Sequence, residues 1–536
     1  MSYFQSRRSA VLARRGAVAT SQPLAAQAGL QMLMAGGNAV DAAVAAAATL
    51  AVVEPMSTGL GGDLFCLIWD AKTKQVYALN SSGRAPAHAD PEAMRRKGYQ
   101  KMPLSGADVA CSVTVPGTVA GWEAALRRHG RMSFKEVLQP AIMYAETGFP
   151  VSELIATMWQ EAESKLTASV SGQELLYNGR APRYGDVVVL STLAKSLRQL
   201  YEGGAAAFYE GELARQVADY VQKNGGWLTV DDLRQHQATW ETPLNIDYRG
   251  TTVWQCPPNG QGLTVLSALN LLQQFDVKDF PAQTSARYHL LIEIMRLAFA
   301  DGLHYITDPR TDPVPVAALL DKTYAKNRAA LIHPDHALQN VSYGIIPPSS
   351  DTIYVSAVDS EGHACSLINS TFQSFGSGLV VPKTGISLQN RGAGFNLIEG
   401  HPRCLAPEKR PYHTIIPGMA TKNGEFYLSF GVMGAFQQPQ GQLQVLNHLL
   451  DEKMDIQAAL DALRFGIDLE TNVIRLEAGV PQEIVDGLQK RGHCVTILDG
   501  WQRMELGGGQ AIIRDPETGV LFAGSEPRKD GAAVGF

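Results

Sequence analysis

The sequence predicts a globular protein that mixes α-helices and β-strands. Helical and extended segments alternate along its first half, and a β-hairpin is predicted after residue 351. Hydrophobic residues make up 45% of the 536 positions, which is enough for a large core and excludes a disordered chain. The 51 glycines follow no three-residue period, so a collagen-like chain is excluded as well.

The first half is predicted to be mainly helical, with one pair of strands. A helical period ends at Gly36-Gly37, and Asn38 or Asp41 can cap the next helix, whose alanine-rich face permits close packing. The residues between positions 70 and 74 form a predicted turn between two strands. The predicted elements are helices over 25–35 and from the cap to Val53, strands over 64–69 and 75–79, and helices over 134–146, 192–201, 213–224 and 288–300. The last of these is predicted to be amphipathic.

The second half is predicted to be rich in strands. Residues 307–350 contain many Pro, Asp, Ser and His residues and are predicted to form an exposed connection. A hairpin follows, with its turn at 359–362. The predicted elements are strands over 352–358, 364–371, 414–416 and 426–430, a helix over 441–450, and strands over 510–514 and 521–523. No internal repeat is found.

Composition argues against several classes of protein. With 46 basic and 52 acidic residues the net charge is −6, so neither nucleic acid nor a membrane surface is an expected partner. The apolar run 42–53 is too short to cross a bilayer, and residues 1–13 lack the apolar core of a signal peptide. Six widely spaced cysteines indicate buried, reduced thiols. We therefore expect a cytoplasmic location.

No metal or cofactor motif is found. The histidines at 363, 401 and 413 form no H-E-x-x-H or comparable pair, so we expect no metal ligands among them. The glycine runs at 59–62 and 507–509 lack the spacing of phosphate-binding loops, and no G-x-S-x-G sequence occurs. The sequence thus predicts an absence of both metal and cofactor.

Thr352 is the residue whose context suggests chemistry. By default it is a β-branched residue at the start of a strand, where such residues are common. However, it directly follows the predicted exposed connection. If the Asp351–Thr352 bond were cut, the new α-amine, with a reference pKa of about 7.7–8.0, could act as the base for the threonine hydroxyl.

The chain resembles the γ-glutamyltranspeptidase family of N-terminal-nucleophile hydrolases over nearly its whole length. The amino-terminal and self-cleavage motifs are the most specific part of this resemblance. The matching segments are 36–44 (GGNAVDAAV), 59–62 (GLGG), 203–233 with FYEG and GGWLTVDDL, Asp351-Thr352 with Val358-Asp359 and Gly362, Lys409-Arg410-Pro411, and 515–536.

The resemblance implies an α+β fold, a four-layer αββα sandwich, made as one proenzyme. Thr352 would attack the carbonyl of Asp351, leaving a heavy chain of residues 1–351 and a light chain of residues 352–536 that remain together in one composite fold. Thr352 would then form an acyl-enzyme with an amide substrate. Backbone N–H groups of Gly434 and Ala435, where Ala435 replaces a family glycine, would bind the oxyanion. Ser370 either lies near the nucleophile or is an ordinary polar residue of its strand.

The positions that bind the glutamyl group in the family differ here. The family's arginine falls at Ser82, with Arg84 two residues later, and its acidic residue falls at Gly394. The family's amide side chain, asparagine and serine pair fall at Arg391, at Phe372, and at His413 with Thr414. Loss of the acid disfavours an ammonium group, whereas an arginine favours a plain carboxylate. Arg84 and Arg391 either bind that carboxylate or make internal salt bridges.

These differences resemble the branch of the family that contains oxamate amidohydrolase and acylases. The expected activity is hydrolysis of a small amide that carries a carboxylate, with oxamate as the named example and with Phe372 reducing the cavity. The alternative is γ-glutamyl transfer or glutathione hydrolysis in a rearranged pocket. A processed but inactive binding protein is a third possibility. The expected partners are the small-molecule amide and the two chains of one precursor.

Overall fold

The computed structural model describes residues 8–339, 341 and 352–536. The strands are β1 Val11–Ala13, β2 Gly16–Thr20, β3 Asp63–Asp70, β4 Gln75–Ser81, β5 Phe149–Pro150, β6 Val187–Val188, β7 Thr239–Glu241, β8 Leu244–Tyr248, β9 Thr251–Gln255, β10 Ile353–Asp359, β11 Ala364–Ser370, β12 Val380–Val381, β13 Ile386–Ser387, β14 Gly418–Lys422, β15 Glu425–Val432, β16 Phe465–Ile467, β17 Ile474–Glu477, β18 Val495–Leu498, β19 Gly509–Arg514, β20 Leu521–Gly524 and β21 Ala532–Gly535.

The helices lie mostly before residue 330. They are α1 Pro23–Met34, α2 Ala39–Val53, α3 Pro91–Arg96, α4 Thr118–His129, α5 Phe134–Thr147, α6 Glu153–Glu161, α7 Glu163–Thr167, α8 Ser191–Gly203, α9 Ala206–Tyr209, α10 Glu212–Lys223, α11 Val230–Arg234, α12 Gly262–Leu272, α13 Ser285–Tyr305, α14 Val316–Leu319, α15 Lys322–Ala329, α16 Gln437–Leu446, α17 Ile456–Asp461 and α18 Gln482–Lys490. Within the described part of the chain, no helix is both long and apolar enough to cross a membrane.

Two seven-stranded antiparallel sheets form the centre of the fold. The first sheet has the order β21-β2-β10-β11-β3-β4-β7, and the second has the order β1-β20-β19-β15-β14-β9-β8. Every residue of β10 and β11 is buried. The strand that begins immediately after Thr352 therefore lies inside the first sheet rather than at its edge.

The inner faces of the two sheets pack against each other. Tyr354 of the first sheet shares one apolar cluster with Met419 and Ile512 of the second. Polar contacts also cross this interface, since the Ser356 hydroxyl donates to Ser429 Oγ at 2.7 Å. Buried hydroxyls that are hydrogen-bonded to each other avoid the cost of desolvating them without partners.

Helices cover the outer faces of both sheets. Side chains of α1, α2 and α5 share a cluster with alternate residues of β10, while α12, α13 and α16 share another with β15. The alanine-rich α2 is buried along its whole length, and a Cβ added at Gly29 of α1 would lie 2.9 Å from the carbonyl oxygen of Ala42. The predicted close packing at this alanine face is therefore confirmed, and Asn38 rather than Asp41 is the cap.

Some predicted elements differ from the structure. The helix α13 is not amphipathic, because almost every side chain from Arg287 to Leu303 is buried. Residues 414–416 form no strand, and the strand in this region is β14. The predicted exposed connection contains the helices α14 and α15, whose Leu319, Ala325 and Ala329 join the core.

Two further predictions need correction. The helix predicted over 441–450 begins earlier, as α16, and continues into a π-helical turn at Asn447–Asp451. All six cysteines are free thiols, as predicted, but Cys494 is exposed and Cys404 is only partly buried. The spacing of cysteines along the chain carries no information about burial, which depends on the packing of each segment.

Candidate active site

Thr352 is held beside Ser370 by the register of two interior strands. Ile353 pairs with Asn369 between β10 and β11, which places the residue before β10 next to the last residue of β11. The Thr352 hydroxyl donates to Ser370 Oγ at 3.2 Å, and Thr352 is only 3% exposed. Asp351, the other side of the predicted cleavage site, lies outside the described residues.

Ser370 Oγ is a meeting point for several of the predicted site residues. It accepts a hydrogen bond from the backbone N–H of Phe372 at 2.8 Å and from Arg391 Nη2 at 3.3 Å. The other terminal nitrogen of Arg391 donates to Thr414 Oγ1 at 2.7 Å. The guanidinium carbon lies 4.2 Å from the centre of the Phe372 ring, a cation–π distance. The structure thus brings together Thr352, Ser370, Phe372, Arg391 and Thr414.

A buried carboxylate and imidazole lie behind this group. His413 Nε2 is 2.9 Å from Asp63 Oδ2, and both side chains are fully buried. Burial and the charge of Arg391 lower the pKa of His413 to about 3, so the neutral ring donates to the carboxylate. Burial alone would raise the pKa of Asp63. The hydrogen bonds from His413 and from the N–H of Gly83, together with the charge of Arg391, lower it instead.

The Arg391 guanidinium is completely buried without an ion pair among the described residues. Burial lowers the pKa of Arg391 to about 9, and the negative charge of Asp63 opposes this shift. Its Nε has no hydrogen-bond partner in the described part of the chain. A buried cation without a directly paired anion is costly, so this group favours binding of a carboxylate.

Thr352 opens onto a cavity of about 550 Å3. Gly434 also lines this cavity, whereas Arg84, Phe372, Arg391, His413, Thr414 and Ala435 do not. Sequence reasoning missed many of the lining residues, which include Lys165, Gln373, Ser374, Gln437, Arg475, Trp501 and Lys529. It also missed Asp63. The available signal was an acidic residue directly after Gly61-Gly62 at the start of an apolar strand.

The segment before α16 can bind an anion. Gly434 and Ala435 both have left-handed backbone conformations, with φ of +111° and +47°. Neither N–H donates to another described residue, and α16 begins two residues later at Gln437. Free backbone amides at the start of a helix attract negative charge, so this segment is suited to hold an oxyanion. Gln261 Nε2 fixes it by donating to the Ala435 carbonyl oxygen at 2.9 Å.

Comparison with known proteins identifies the family. Residues 25–536 match the family model described as gamma-glutamyltranspeptidase. The chain belongs to this family of enzymes. Its threonine, its serine on the neighbouring strand and its paired left-handed residues therefore lie in a fold that the family shares.

Three similar proteins show how varied the named activities are. The chain is 38% identical to the glutathione hydrolase-like YwrD proenzyme of Bacillus subtilis, over 98% of this chain and 99% of that one. It is 35% identical to the oxamate amidohydrolase proenzyme of Klebsiella pneumoniae, over 96% and 97%. The crystal structure of a cephalosporin acylase from Bacillus halodurans is 42% identical, with a TM-score of 0.93 and coverage of 100% and 98%.

Arg84 lies apart from the group around Ser370. Its Nη1 is 2.7 Å from Asp308 Oδ2 and also donates to the Glu408 carbonyl oxygen. The sequence left open whether this arginine makes an internal salt bridge, and in the structure it does. At Gly394, the position predicted to correspond to the family's acid, a Cβ would lie 2.8 Å from the carbonyl oxygen of Tyr412, so a side chain does not fit without movement.

Proposed function

We propose that the chain is a self-processing amidohydrolase with Thr352 as its nucleophile. The proposed substrate is an amide whose short acyl group carries a carboxylate, and oxamate, which gives oxalate and ammonia, is the simplest example. One observation carries this proposal. The Thr352 hydroxyl and the buried Arg391 guanidinium contact the same oxygen, that of Ser370.

Processing would divide the chain into a heavy chain of residues 1–351 and a light chain of residues 352–536. Thr352 Oγ attacks the carbonyl carbon of Asp351, the peptide C–N bond breaks, and the nitrogen takes up the hydroxyl proton. Water then hydrolyses the ester, leaving a carboxylate on Asp351 and a free amine on Thr352. Both chains would stay together in a four-layer αββα sandwich, since the packing of helices on two facing sheets supports this arrangement.

Turnover would use the same hydroxyl. The α-amine of Thr352 takes the proton from Oγ as this oxygen attacks the substrate carbonyl, and the N–H groups of Gly434 and Ala435 bind the oxyanion. The amine then gives the proton to the leaving nitrogen, and an acyl ester remains. Water, activated by the same amine, hydrolyses the ester and releases the acid. Ser370 orients the nucleophile through its hydrogen bond.

The position of Arg391 favours a short acyl group. Since both atoms contact Ser370 Oγ, Thr352 Oγ1 and Arg391 Nη2 are at most about 6.5 Å apart. In oxamate the carboxylate carbon is bonded directly to the reacting carbonyl carbon, about 1.5 Å away. In an extended γ-glutamyl group four C–C bonds separate these carbons, a distance of about 5 Å, so its carboxylate lies much farther from the reacting carbonyl than that of oxamate.

The alternative, γ-glutamyl transfer or glutathione hydrolysis, is supported by the names of several relatives. It requires a partner for the α-ammonium of the glutamyl group. Gly394 supplies none, and Arg391 adds a like charge that is only partly balanced by Asp63. An unpaired ammonium in such a site is expected to cost several kcal/mol.

The proposal is tested by electrophoresis and by a substrate panel. Purified protein should give bands of roughly 38 and 20 kDa, by proportional division of the chain, and Thr352→Ala should give one full-length band. The processed enzyme is then assayed with oxamate, glutathione and a cephalosporin, and kcat/KM is compared. Oxamate should be the best of the three. An intact, active wild-type chain would refute the mechanism, and a better rate with glutathione would refute only the substrate assignment.

A further inference from the structure

Three metal-ligating side chains meet far from Thr352 in sequence and outside its cavity. His289 and Glu293 lie four residues apart on α13, and His493 follows the end of α18. One ligand atom from each lies within 4.8 Å of the others. Their exposed fractions are 1%, 0% and 7%. None of the three lines the cavity at Thr352.

A second hydrogen bond orients the His289 ring. Its Nε2 is 2.7 Å from the carbonyl oxygen of His333, which can only accept. The proton of this imidazole is therefore on Nε2, and Nδ1 presents a lone pair to His493 Nε2 at 2.8 Å. A histidine that ligates a metal is commonly held in this way, with its other nitrogen donating to a carbonyl or carboxylate oxygen.

Glu293 is held as an oriented carboxylate. Its Oε1 accepts from Arg296 Nη1 at 2.7 Å, and its Oε2 accepts from the N–H of Leu338 at 2.9 Å. Each oxygen still has a second lone pair, and Oε1 lies 3.8 Å from His493 Nε2. The positive charge of Arg296 repels a nearby cation. The binding free energy that a metal ion gains from its three ligands must therefore exceed this repulsion.

We propose that His289, Glu293 and His493 bind a divalent transition-metal ion of the zinc class. Zinc is bound tetrahedrally at about 2.0–2.1 Å from nitrogen, which places ligand atoms about 3.3–3.4 Å apart. The two separations of 2.8 and 3.8 Å bracket this value, so shifts of about half an ångström bring these two pairs to tetrahedral spacing, and all three ligand atoms already lie within 4.8 Å of one another. On binding, His493 adopts the tautomer with its proton on Nδ1, and water fills the fourth position.

The metal would connect the two chains of the processed enzyme. His289 and Glu293 precede residue 351, whereas His493 follows it. The ion would therefore act as a structural link after cleavage and add its binding free energy to the stability of the assembled enzyme. The site exists equally in the uncleaved chain, so this inference does not depend on the proposed function.

This site was not predicted from the sequence, from which we expected no metal. Glu293 and His493 are 200 positions apart, and the pair H-x-x-x-E on α13 matches no established zinc motif. Helical spacing places His289 and Glu293 on one face, but only the packing of α13 against α18 supplies the third ligand.

Zinc binding to the full protein tests the proposal. The wild type, His493→Gln, Glu293→Gln and His336→Gln are treated with EDTA, dialysed and titrated with zinc chloride by calorimetry. His336→Gln is the matched control, because this neighbouring histidine is exposed, stacks on the His333 ring and is not one of the three clustered ligands. Cobalt(II) is added in parallel, and its visible absorption reports a four-coordinate site.

The wild type should bind one zinc per chain, with a higher Tm in zinc than in EDTA. His493→Gln and Glu293→Gln should bind at least about 100-fold more weakly, and His336→Gln within about threefold of the wild type. Absence of zinc binding by the wild type overturns the proposal, even if a variant fails to fold. If His493→Gln and Glu293→Gln bind zinc as tightly as the wild type, this set of ligands is overturned. It is also overturned if His336→Gln loses as much affinity as these two variants.

Discussion

Replacing Arg391 with glutamine should weaken binding of the substrate carboxylate far more than it slows chemistry. The side chain is fully buried, and it contacts Ser370, Thr414 and the face of Phe372. Glutamine can keep a hydrogen bond to one hydroxyl, but it loses the positive charge. We therefore expect KM for oxamate to rise strongly while self-cleavage continues.

The size of the expected rise in KM follows from the burial of the Arg391 charge. A carboxylate left in a buried site without its cation typically costs about 3–5 kcal/mol. Since 1.4 kcal/mol corresponds to a factor of ten, the lower figure predicts that KM rises roughly 100-fold. Lysine at this position should restore only part of the affinity, because its single ammonium cannot bind both carboxylate oxygens as an arginine fork can. The hydrogen bond to Ser370 predicts a smaller fall in kcat, roughly tenfold or less.

Ammonia release from oxamate gives KM and kcat for each variant, and electrophoresis reports processing. Arg84→Gln is the matched control, because Arg84 pairs with Asp308 and donates to the Glu408 carbonyl oxygen, whereas Arg391 contacts Ser370 beside the nucleophile. Its KM should stay within about twofold of the wild type, as expected for a residue that makes no contact with substrate. Unchanged KM in Arg391→Gln, or a comparable rise in Arg84→Gln, would refute our placement of the substrate carboxylate.

Three further predictions concern the same site. Ser370→Ala should slow both self-cleavage and oxamate turnover, roughly tenfold to 100-fold, because the Thr352 hydroxyl loses its hydrogen-bond partner; equal rates would contradict this role. Gly394→Asp should not create glutathione hydrolysis and should lower Tm, since its Cβ would lie 2.8 Å from a backbone carbonyl oxygen; restored glutathione activity would contradict the packing argument. In pH profiles, kcat/KM for oxamate should rise as the α-amine deprotonates near its reference pKa of about 7.7–8.0. KM should rise above pH 9, because the pKa of Arg391 is lowered to about 9 and the cation is lost as pH increases through it; a constant KM up to pH 10 would contradict this assignment.

Local sequence patterns predicted the elements whose own residues include a capping or turn motif. The helix α2 has a capping box at Asn38 and Asp41, and the hairpin of β10 and β11 has a turn at its predicted position. The strand predicted over 414–416 was wrong, because β-branched residues in a short run also occur in extended loops that pack against a helix. The helix α13 was predicted to be amphipathic, but α12 and α18 both pack against it, and this packing is not visible in its own periodicity.

The part of the site that lies on the hairpin of β10 and β11 was predictable from the sequence. Thr352 was predicted from its position after the connection and from the resemblance to the family, and Ser370 from the resemblance; the hairpin register explains why the two residues meet. Asp63 was missed because it belongs to β3, and only the order of strands in the first sheet places β3 beside β11. The burial of Arg391 under the Phe372 ring was also not predictable, since cation–π packing leaves no pattern in the sequence.

The buried residues beside Ser370 depend on one another. The cation of Arg391 is tolerated in the interior because the Phe372 ring lies against it and the buried carboxylate of Asp63 lies near it. That carboxylate is in turn held by neutral His413. Groups that share contacts in this way have non-additive effects when they are changed. A single substitution in this group therefore disturbs the contacts of the other members, and we expect that changing the substrate preference requires several replacements together.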